Sequence, residues 1–190
     1  IINNISIQLT IGDLNVAVVA VNIDSRKVVK DSCFIAVRGV STDGHQFIDI
    51  AIQNGATSIV CETLPEFLVD SVTYIKTGNS AIAAGYIAHQ FAGSPTEKFK
   101  LIGVTGTNGK TTVATLLYQL FSGLGYRCGL VSTVKYKIGD FELDSSHTTP
   151  DPIQLNQLFE KMVKAGCTHV FMECSSHAIH QNRIAGLQFA

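Results

Sequence analysis

Short apolar runs bounded by polar breakers alternate with helical patterns in the first half of the chain. Runs rich in β-branched and apolar residues at 16–22, 33–38, 58–61 and 73–76 predict strands. Apolar positions within 47–53 predict a short helix that Gly55 ends. A longer helix is predicted over 79–92, with Asn79 as its N-cap and with Gly93 and Pro95 as stop signals.

The second half continues the same alternation. It predicts a strand at 100–104, a helix at 111–124, a strand at 128–134, a hairpin through Gly139 and Asp140, a helix at 152–165 and a strand at 169–173. Strands that alternate with helices favour an α/β fold with a mostly parallel, doubly wound sheet. The Gly-Ser-Pro composition of 93–98 is typical of a linker, so we predict two domains, 1–95 and 96–190.

Composition and charge narrow the class of protein. Hydrophobic residues make up 46% of the chain, the formal net charge is −1, and no basic block occurs, so no nucleic-acid partner is expected. The apolar run 16–21 is too short to cross a bilayer and follows no basic region. Five cysteines without a C-x-x-C pair favour a reducing compartment. We therefore expect a cytoplasmic monomer without membrane insertion, and the Ile-Ile start suggests that natural N-terminal residues precede it.

The sequence L-I-G-V-T-G-T-N-G-K-T-T at 101–112 carries the most specific chemistry. A strand, a Gly-rich turn and a helix follow one another, which is how backbone N–H groups and a helix N-terminus bind phosphate. Lys110 can reach the β- and γ-phosphates of ATP, and the Thr111 hydroxyl can ligate Mg²⁺. Val104 stands where the usual P-loop spacing has glycine, so the motif is a variant. A Gly-rich turn with a surface lysine is the alternative. The predicted ATP-binding residues are Gly106, Thr107, Asn108, Gly109, Lys110, Thr111 and Thr112.

Polar residues near the end of the chain could complete such a site. Glu173 ends a predicted strand at the edge where α/β sheets bind ligands, and its carboxylate could hold Mg²⁺ together with Thr111. An exposed strand-end glutamate is the alternative. Arg183 could pair with a carboxylate or phosphate, or be a surface arginine. A metal cluster of Cys174, His177 and His180 is disfavoured, because the spacing matches no familiar zinc pattern.

Several motifs together resemble the Mur ligase superfamily. They are the loop T-G-T-N-G-K-T-T, D-S-R at 24–26, D-G-H-Q-F at 43–47, H-T-T-P at 147–150 and M-E-C-S-S-H at 172–177. The similarity runs from about Ile23 to the last residue and is strongest to members that add a diamino acid to UDP-MurNAc-L-Ala-D-Glu. It implies a small N-terminal α/β uridine-nucleotide domain that binds UDP-MurNAc, followed by part of a doubly wound P-loop ATPase domain.

The resemblance also implies an activity. ATP, with Mg²⁺ on Thr111 and Glu173, would phosphorylate the D-Glu side chain to an acyl phosphate, and the amine of meso-diaminopimelate or L-lysine would then form an amide. Lys110 and Glu173 would be catalytic. The implied contacts to UDP-MurNAc-dipeptide are Ile23, Ser25, Val40, Ser41, Thr42, His147, Thr148, Thr149, Ser175, Gln181 and Arg183.

The resemblance leaves other points open. His147 stands where such ligases often have asparagine, while His45 and His89 are interpreted as structural. By resemblance the carbamylated lysine and the amino-acid-binding domain lie beyond residue 190, so we expect these residues alone to lack ligase activity. The alternatives are a MurF-type ligase, a folylpolyglutamate-type ligase and a non-catalytic nucleotide-binding module.

Overall fold

The computed structural model describes residues 1–39, 42–139, 141–144 and 148–190, in two units, Ile1–Ala88 and His89–Ala190. The first unit contains β1 (Ile7–Ile11), β2 (Ala20–Asn22), β3 (Ser32–Ile35), α1 (Ile48–Gln53), β4 (Ala56–Cys61) and β5 (Thr73–Thr77). Its sheet has the order β1-β5-β4-β3-β2, in which β2 to β5 are parallel and β1 is antiparallel to β5. Every residue of β3 is buried, as expected for a central parallel strand.

The sequence pattern finds most of this unit. The predicted strands at 58–61 and 73–76 are confirmed as parts of β4 and β5, whereas only Ala20–Asn22 of the predicted strand at 16–22 is a strand. The helix predicted at 79–92 is confirmed as α2 (Ser80–Phe91), and Asn79 accepts the Ile82 N–H at 2.9 Å, as an N-cap does. Strand β1 was not predicted, because it lies at the sheet edge with Ile7 and Leu9 exposed.

The second unit contains β6 (Lys100–Val104), α3 (Lys110–Gly123), β7 (Cys128–Val131), β8 (Lys135–Ile138), β9 (Phe141–Asp144), α4 (Pro152–Lys164), β10 (His169–Glu173) and α5 (Ser176–His180). Its sheet has the order β6-β10-β7-β8-β9, with β6, β10 and β7 parallel and the β8–β9 hairpin antiparallel. The predicted hairpin is thus confirmed on both sides of Asp140, which lies outside the described residues.

Helices pack on both faces of this second sheet, as the doubly wound prediction requires. Val170 and Met172 of β10 pack in one cluster with Phe159 of α4, whereas Phe171 packs in another with Ala114 of α3. Because successive side chains of a strand point to opposite faces, the two helices cover opposite sides. The carboxyl ends of β6 and β10 therefore meet at one edge, where the loops leave the sheet.

The predicted linker is an ordered turn. Residues Pro95–Glu97 form a 3-10 helix, and Pro95 and Thr96 are buried. The His89 ring Nε2 lies 2.8 Å from Thr96 Oγ1, so His89 joins the end of α2 to this turn. The boundary between residues 95 and 96 stays a prediction that limited proteolysis can test. In the described part of the chain, no helix is long and apolar enough to span a bilayer.

Candidate functional site

The Gly-rich segment forms an exposed loop between β6 and α3. Residues 105–109 are exposed, and α3 begins directly after them at Lys110. Gly109 has φ +79°, a left-handed conformation that favours glycine, and a Cβ there would meet nothing within 4 Å. Val104, which occupies the usual glycine position, is the last residue of β6. The substitution therefore falls in the strand, and the turn itself keeps its glycines.

The start of α3 offers donors to an anion. The first N–H groups of a helix lack partners within it, and no side chain caps this helix. The Lys110 ammonium donates to the Gly106 carbonyl at 2.9 Å, which joins the two ends of the loop. Thr111 is half-buried, while Thr107, Asn108 and Thr112 are exposed. The Lys110 cation and a row of N–H groups at one helix end suit a polyphosphate.

Glu173 lies beside this loop. It ends β10 and is paired in register with Val104, the residue from which the loop departs. Its side chain is 1% exposed, so the alternative of an exposed strand-end glutamate is wrong. The carboxylate accepts the Thr133 N–H at 2.8 Å, and the Thr133 hydroxyl lies 3.2 Å from its other oxygen. Sequence reasoning missed Thr133 because it placed this residue inside a strand predicted at 128–134, whereas β7 ends at Val131.

The second predicted loop is joined to Glu173 and to the residues that follow it. The buried Thr149 hydroxyl donates to the Glu173 carbonyl at 2.9 Å and accepts the Ser175 N–H at 3.3 Å. The Arg183 guanidinium donates to the Thr149 carbonyl at 2.9 Å, and to Gln181 Oε1 from Nε at 2.9 Å and Nη2 at 2.6 Å. Predicted residues from separate motifs thus form one hydrogen-bonded group.

Other predicted residues of this unit have local roles. The Ser175 hydroxyl accepts the Ala178 N–H at 3.1 Å and caps α5. The Thr148 hydroxyl lies 3.0 Å from that of Thr133. His147 lies outside the described residues. Among the residues that the structure describes, no group of three His, Cys, Asp or Glu side chains could hold a metal ion. Cys174, His177 and His180 are among the residues to which this applies.

The predicted uridine contacts lie in the first unit. Ser25 is buried at the start of a 3-10 turn that Asp24 caps, and Ile23 precedes it half-buried. The Arg26 guanidinium binds both Asp24 oxygens at 2.9 Å and lowers the pKa of that carboxyl. The Thr42 carbonyl accepts the Gly39 N–H at 2.9 Å. Val40 and Ser41, between these two, lie outside the described residues.

Polar residues lie around the described ends of the 39–42 loop, and sequence reasoning interpreted His45 as structural but assigned no role to Arg38 or Glu62. His45 Nδ1 lies 2.6 Å from Asp43 Oδ1, and His45 Nε2 accepts the Glu62 N–H at 2.9 Å. The Arg38 guanidinium lies 3.3 Å from the Glu62 carboxylate, whose other oxygen accepts the Ser80 N–H at 2.9 Å. Hydrogen bonds from the His45 backbone N–H and then from its ring lower the pKa of Asp43. These contacts fix the two ends of the loop.

The fold and the loop between β6 and α3 define the chain as a P-loop α/β protein. The family model for the Mur ligase middle domain matches residues 104–190, and that for the Mur ligase family catalytic domain matches residues 17–93. The chain therefore belongs to the Mur ligase family.

Individual members of the family show what this chain is similar to. The chain is 58% identical to the UDP-N-acetylmuramoyl-L-alanyl-D-glutamate–2,6-diaminopimelate ligase of Cytophaga hutchinsonii, over 100% of this chain and 39% of that protein. It is 54% identical to the enzyme of that name from Bacteroides thetaiotaomicron, over 97% of this chain and 38% of that protein. A solved structure with that name has a TM-score of 0.76 and 29% identity, over 90% of this chain and 35% of that one. The chain thus spans less than two fifths of the length of these relatives.

Proposed function

We propose that these residues supply the nucleotide-binding parts of an ATP-dependent ligase that adds a diamino acid to UDP-MurNAc-L-Ala-D-Glu. The observation that carries this proposal is the hydrogen-bonded group that joins Glu173 to Thr149 and Arg183, beside the P-loop. It would bring an ATP γ-phosphate and a substrate carboxylate to one edge of the sheet. The names of the relatives support 2,6-diaminopimelate over L-lysine as the amino acid.

The residues would position ATP and the substrate carboxylate and would neutralise part of their negative charge. A substrate carboxylate oxygen attacks the γ-phosphorus, ADP leaves, and an acyl phosphate forms. The amine of the diamino acid then attacks the acyl carbon, inorganic phosphate leaves and the nitrogen loses a proton. Lys110 and the N–H groups at the start of α3 would hold the phosphates, which reduces the repulsion between two approaching anions.

The donor set fits Mg²⁺. The Thr111 hydroxyl and the Glu173 carboxylate are hard oxygen ligands, and among the described residues only Thr133 donates to that carboxylate, which leaves lone pairs for a cation. When bound, Mg²⁺ would neutralise charge on the phosphate oxygens. Thr111 and Glu173 are therefore the residues that we propose to hold it.

Each unit carries residues that we propose as contacts to one part of the UDP-MurNAc-dipeptide. We propose the loop residues His147, Thr148 and Thr149, together with Ser175, Gln181 and Arg183, as contacts to the peptide-bearing part. Ile23, Ser25, Val40, Ser41 and Thr42 are proposed as uridine contacts. The burial of Ser25 and the Gly39–Thr42 backbone hydrogen bond support this assignment.

Titration calorimetry on this chain tests the binding steps. We expect UDP-MurNAc-dipeptide and ATP each to bind, and Lys110→Ala to weaken ATP binding at least about tenfold, as expected when a charged contact is lost. The thermal midpoint of that variant should stay unchanged, because the lysine is not part of the core. Unchanged ATP affinity, or loss of folding, would contradict the P-loop assignment.

Exchanging segments tests the ligase reaction. These 190 residues would replace the matching segment of the Cytophaga hutchinsonii relative, and amide formation would be measured with diaminopimelate and with L-lysine separately. We expect turnover that requires ATP, UDP-MurNAc-dipeptide and diaminopimelate, and none in the Lys110→Ala exchange. A folded exchange protein that binds both nucleotides without turnover would favour a non-catalytic module. Preference for the UDP-MurNAc-tripeptide would favour a MurF-type ligase.

A further inference from the structure

The Glu173 carboxylate is held by a single neighbouring residue in the described part of the chain. Both hydrogen bonds that described residues donate to it come from Thr133, the N–H at 2.8 Å and the hydroxyl at 3.2 Å. A buried carboxylate requires such partners, because burial without them disfavours the charged form strongly. Two donors from one residue, one to each oxygen, also fix the plane of the carboxylate.

Thr133 is itself held in place by a tight turn. It follows β7, the strand next to β10, and Met172 is paired with Val131, so the turn lies level with Glu173. The Ser132 hydroxyl donates to the Lys135 carbonyl at 2.8 Å, and the Ser132 N–H donates to the same carbonyl at 3.2 Å. These two hydrogen bonds close the turn that presents Thr133 to Glu173, as a positioning element requires.

The Thr133 hydroxyl also contacts Thr148, one of the residues that we propose as substrate contacts. The Thr133 and Thr148 hydroxyl oxygens are 3.0 Å apart. The Thr133 hydroxyl is thus within hydrogen-bond distance of both Glu173 and Thr148, and its single hydrogen serves one of them at a time. Hydrogen bonds that share a hydroxyl polarise one another.

We propose that Thr133 is a positioning residue that orients the Glu173 carboxylate and ties it to Thr148. This inference rests on the proposed function, because it assigns Glu173 to the metal side and Thr148 to the peptide side of one site. Thr133 would act through Glu173, without contacting substrate. Its role is to make the two sides of the site one hydrogen-bonded unit.

Three variants separate this role from simple structural support. Thr133→Val removes the hydroxyl but keeps the shape and the backbone N–H, and Thr133→Ser keeps the hydroxyl. Thr168→Val, at an exposed threonine before β10, is the matched control. Because the Thr133 hydroxyl contacts a buried carboxylate, valine there should lower the thermal midpoint, so binding is compared at a temperature at which every variant is folded. The probe is ATP, titrated with and without Mg²⁺ on the 190-residue chain.

Thr133→Val should reduce the tightening of ATP binding by Mg²⁺ about tenfold, the effect of losing one hydrogen bond to a charged group. Binding without Mg²⁺ should not change, Thr133→Ser should restore the wild-type ratio, and Thr168→Val should match the wild type. Unchanged tightening in Thr133→Val would overturn the proposal. Equal weakening with and without Mg²⁺ would also overturn it, since a purely structural role predicts that result.

Carbon-13 NMR tests the Thr133 contacts even if the wild-type chain does not bind ATP. That failure would refute the proposed function, while the Thr133 contacts would still be observable. The signals are the Glu173 carboxyl carbon and the Thr148 methyl group, each assigned by substitution. Thr133→Val should shift both signals, and Thr133→Ser should return them toward their original positions. Signals that do not move in Thr133→Val would refute the positioning role independently.

Discussion

Replacing His45 by alanine tests whether this histidine is a structural bridge or a candidate base. Its Nε2 accepts the Glu62 N–H at 2.9 Å, so this nitrogen carries no hydrogen, and the hydrogen on Nδ1 donates to Asp43 at 2.6 Å. Both ring nitrogens are therefore engaged with the protein. A neutral glutamine also presents one donor and one acceptor, so His45→Gln is the conservative variant.

The size of the effect follows from these two contacts. The His45 side chain is 12% exposed, so water replaces its hydrogen bonds poorly. Each lost hydrogen bond costs about 1 kcal/mol, so alanine should destabilise the first unit by about 2 kcal/mol. The backbone N–H of residue 45 still donates to Asp43 in the variant, which limits the loss. His45→Gln should cost less than about 1 kcal/mol.

Native-state hydrogen exchange reports this directly on the first unit. Amides of β4 should exchange about 30-fold faster in His45→Ala, the equivalent of 2 kcal/mol. The control is Gln46→Ala in the same turn, whose exposed side chain should have no effect. If alanine and glutamine accelerate exchange equally, the ring and not its hydrogen bonds stabilises the turn. Retained turnover of His45→Gln in the exchange protein would exclude an essential base there.

Three further predictions test other parts of the chain. Arg183→Ala should weaken UDP-MurNAc-dipeptide binding at least about tenfold without changing ATP binding, by calorimetry; equal effects would mean that the arginine is only structural. Gly44→Ala should lower the free energy of unfolding of the first unit by about 3 kcal/mol, because the added Cβ would lie 2.7 Å from the Val37 carbonyl oxygen. Urea unfolding measures this, and an unchanged free energy of unfolding would refute the packing. Burial lowers the pKa of His89 below its ordinary 6.5, so the unfolded chain takes up the proton first. Stability of the second unit should therefore be complete above pH 6.5 and fall below it, and His89→Gln should flatten that profile.

The local pattern of apolar and polar residues was sufficient to predict the strands whose ends are marked in their own sequence. Strands β6 and β10 have the predicted bounds, because apolar runs there end at a Gly-rich turn and at a charged residue. Strand β1 depends instead on pairing with β5, more than sixty residues away, as in the pair Ile7–Thr77. Nothing within residues 7–11 specifies that partner. Such non-local pairing is decided by the assembled sheet, which a sequence window does not contain.

The candidate site likewise contains residues that motifs predicted and residues whose role depends on contacts between distant parts of the sequence. Motifs predicted the residues that carry chemistry, including Glu173 and Arg183, since charge type and position at strand ends are readable from sequence. The residue that holds the Glu173 carboxylate could not be predicted in this way. Thr133 matters because β7 is next to β10, although the two strands are far apart in sequence. Arg38 and Glu62 likewise meet across neighbouring strands of the first unit.

Thr149 contacts both the proposed metal ligand and the proposed substrate arginine, so a substitution at Thr149 should affect the binding of both ligands. Its hydroxyl joins the backbone of Glu173 and Ser175, and its carbonyl accepts Arg183. A substitution there alters the support of the proposed metal ligand and of the proposed substrate arginine together. Residues that share partners give non-additive effects, so a double-substitution cycle between Thr149 and Arg183 should show coupling in UDP-MurNAc-dipeptide binding, whereas ATP binding should respond to the Thr149 substitution alone. Additive effects would mean that the two sides of the site are independent, against the geometry of the group.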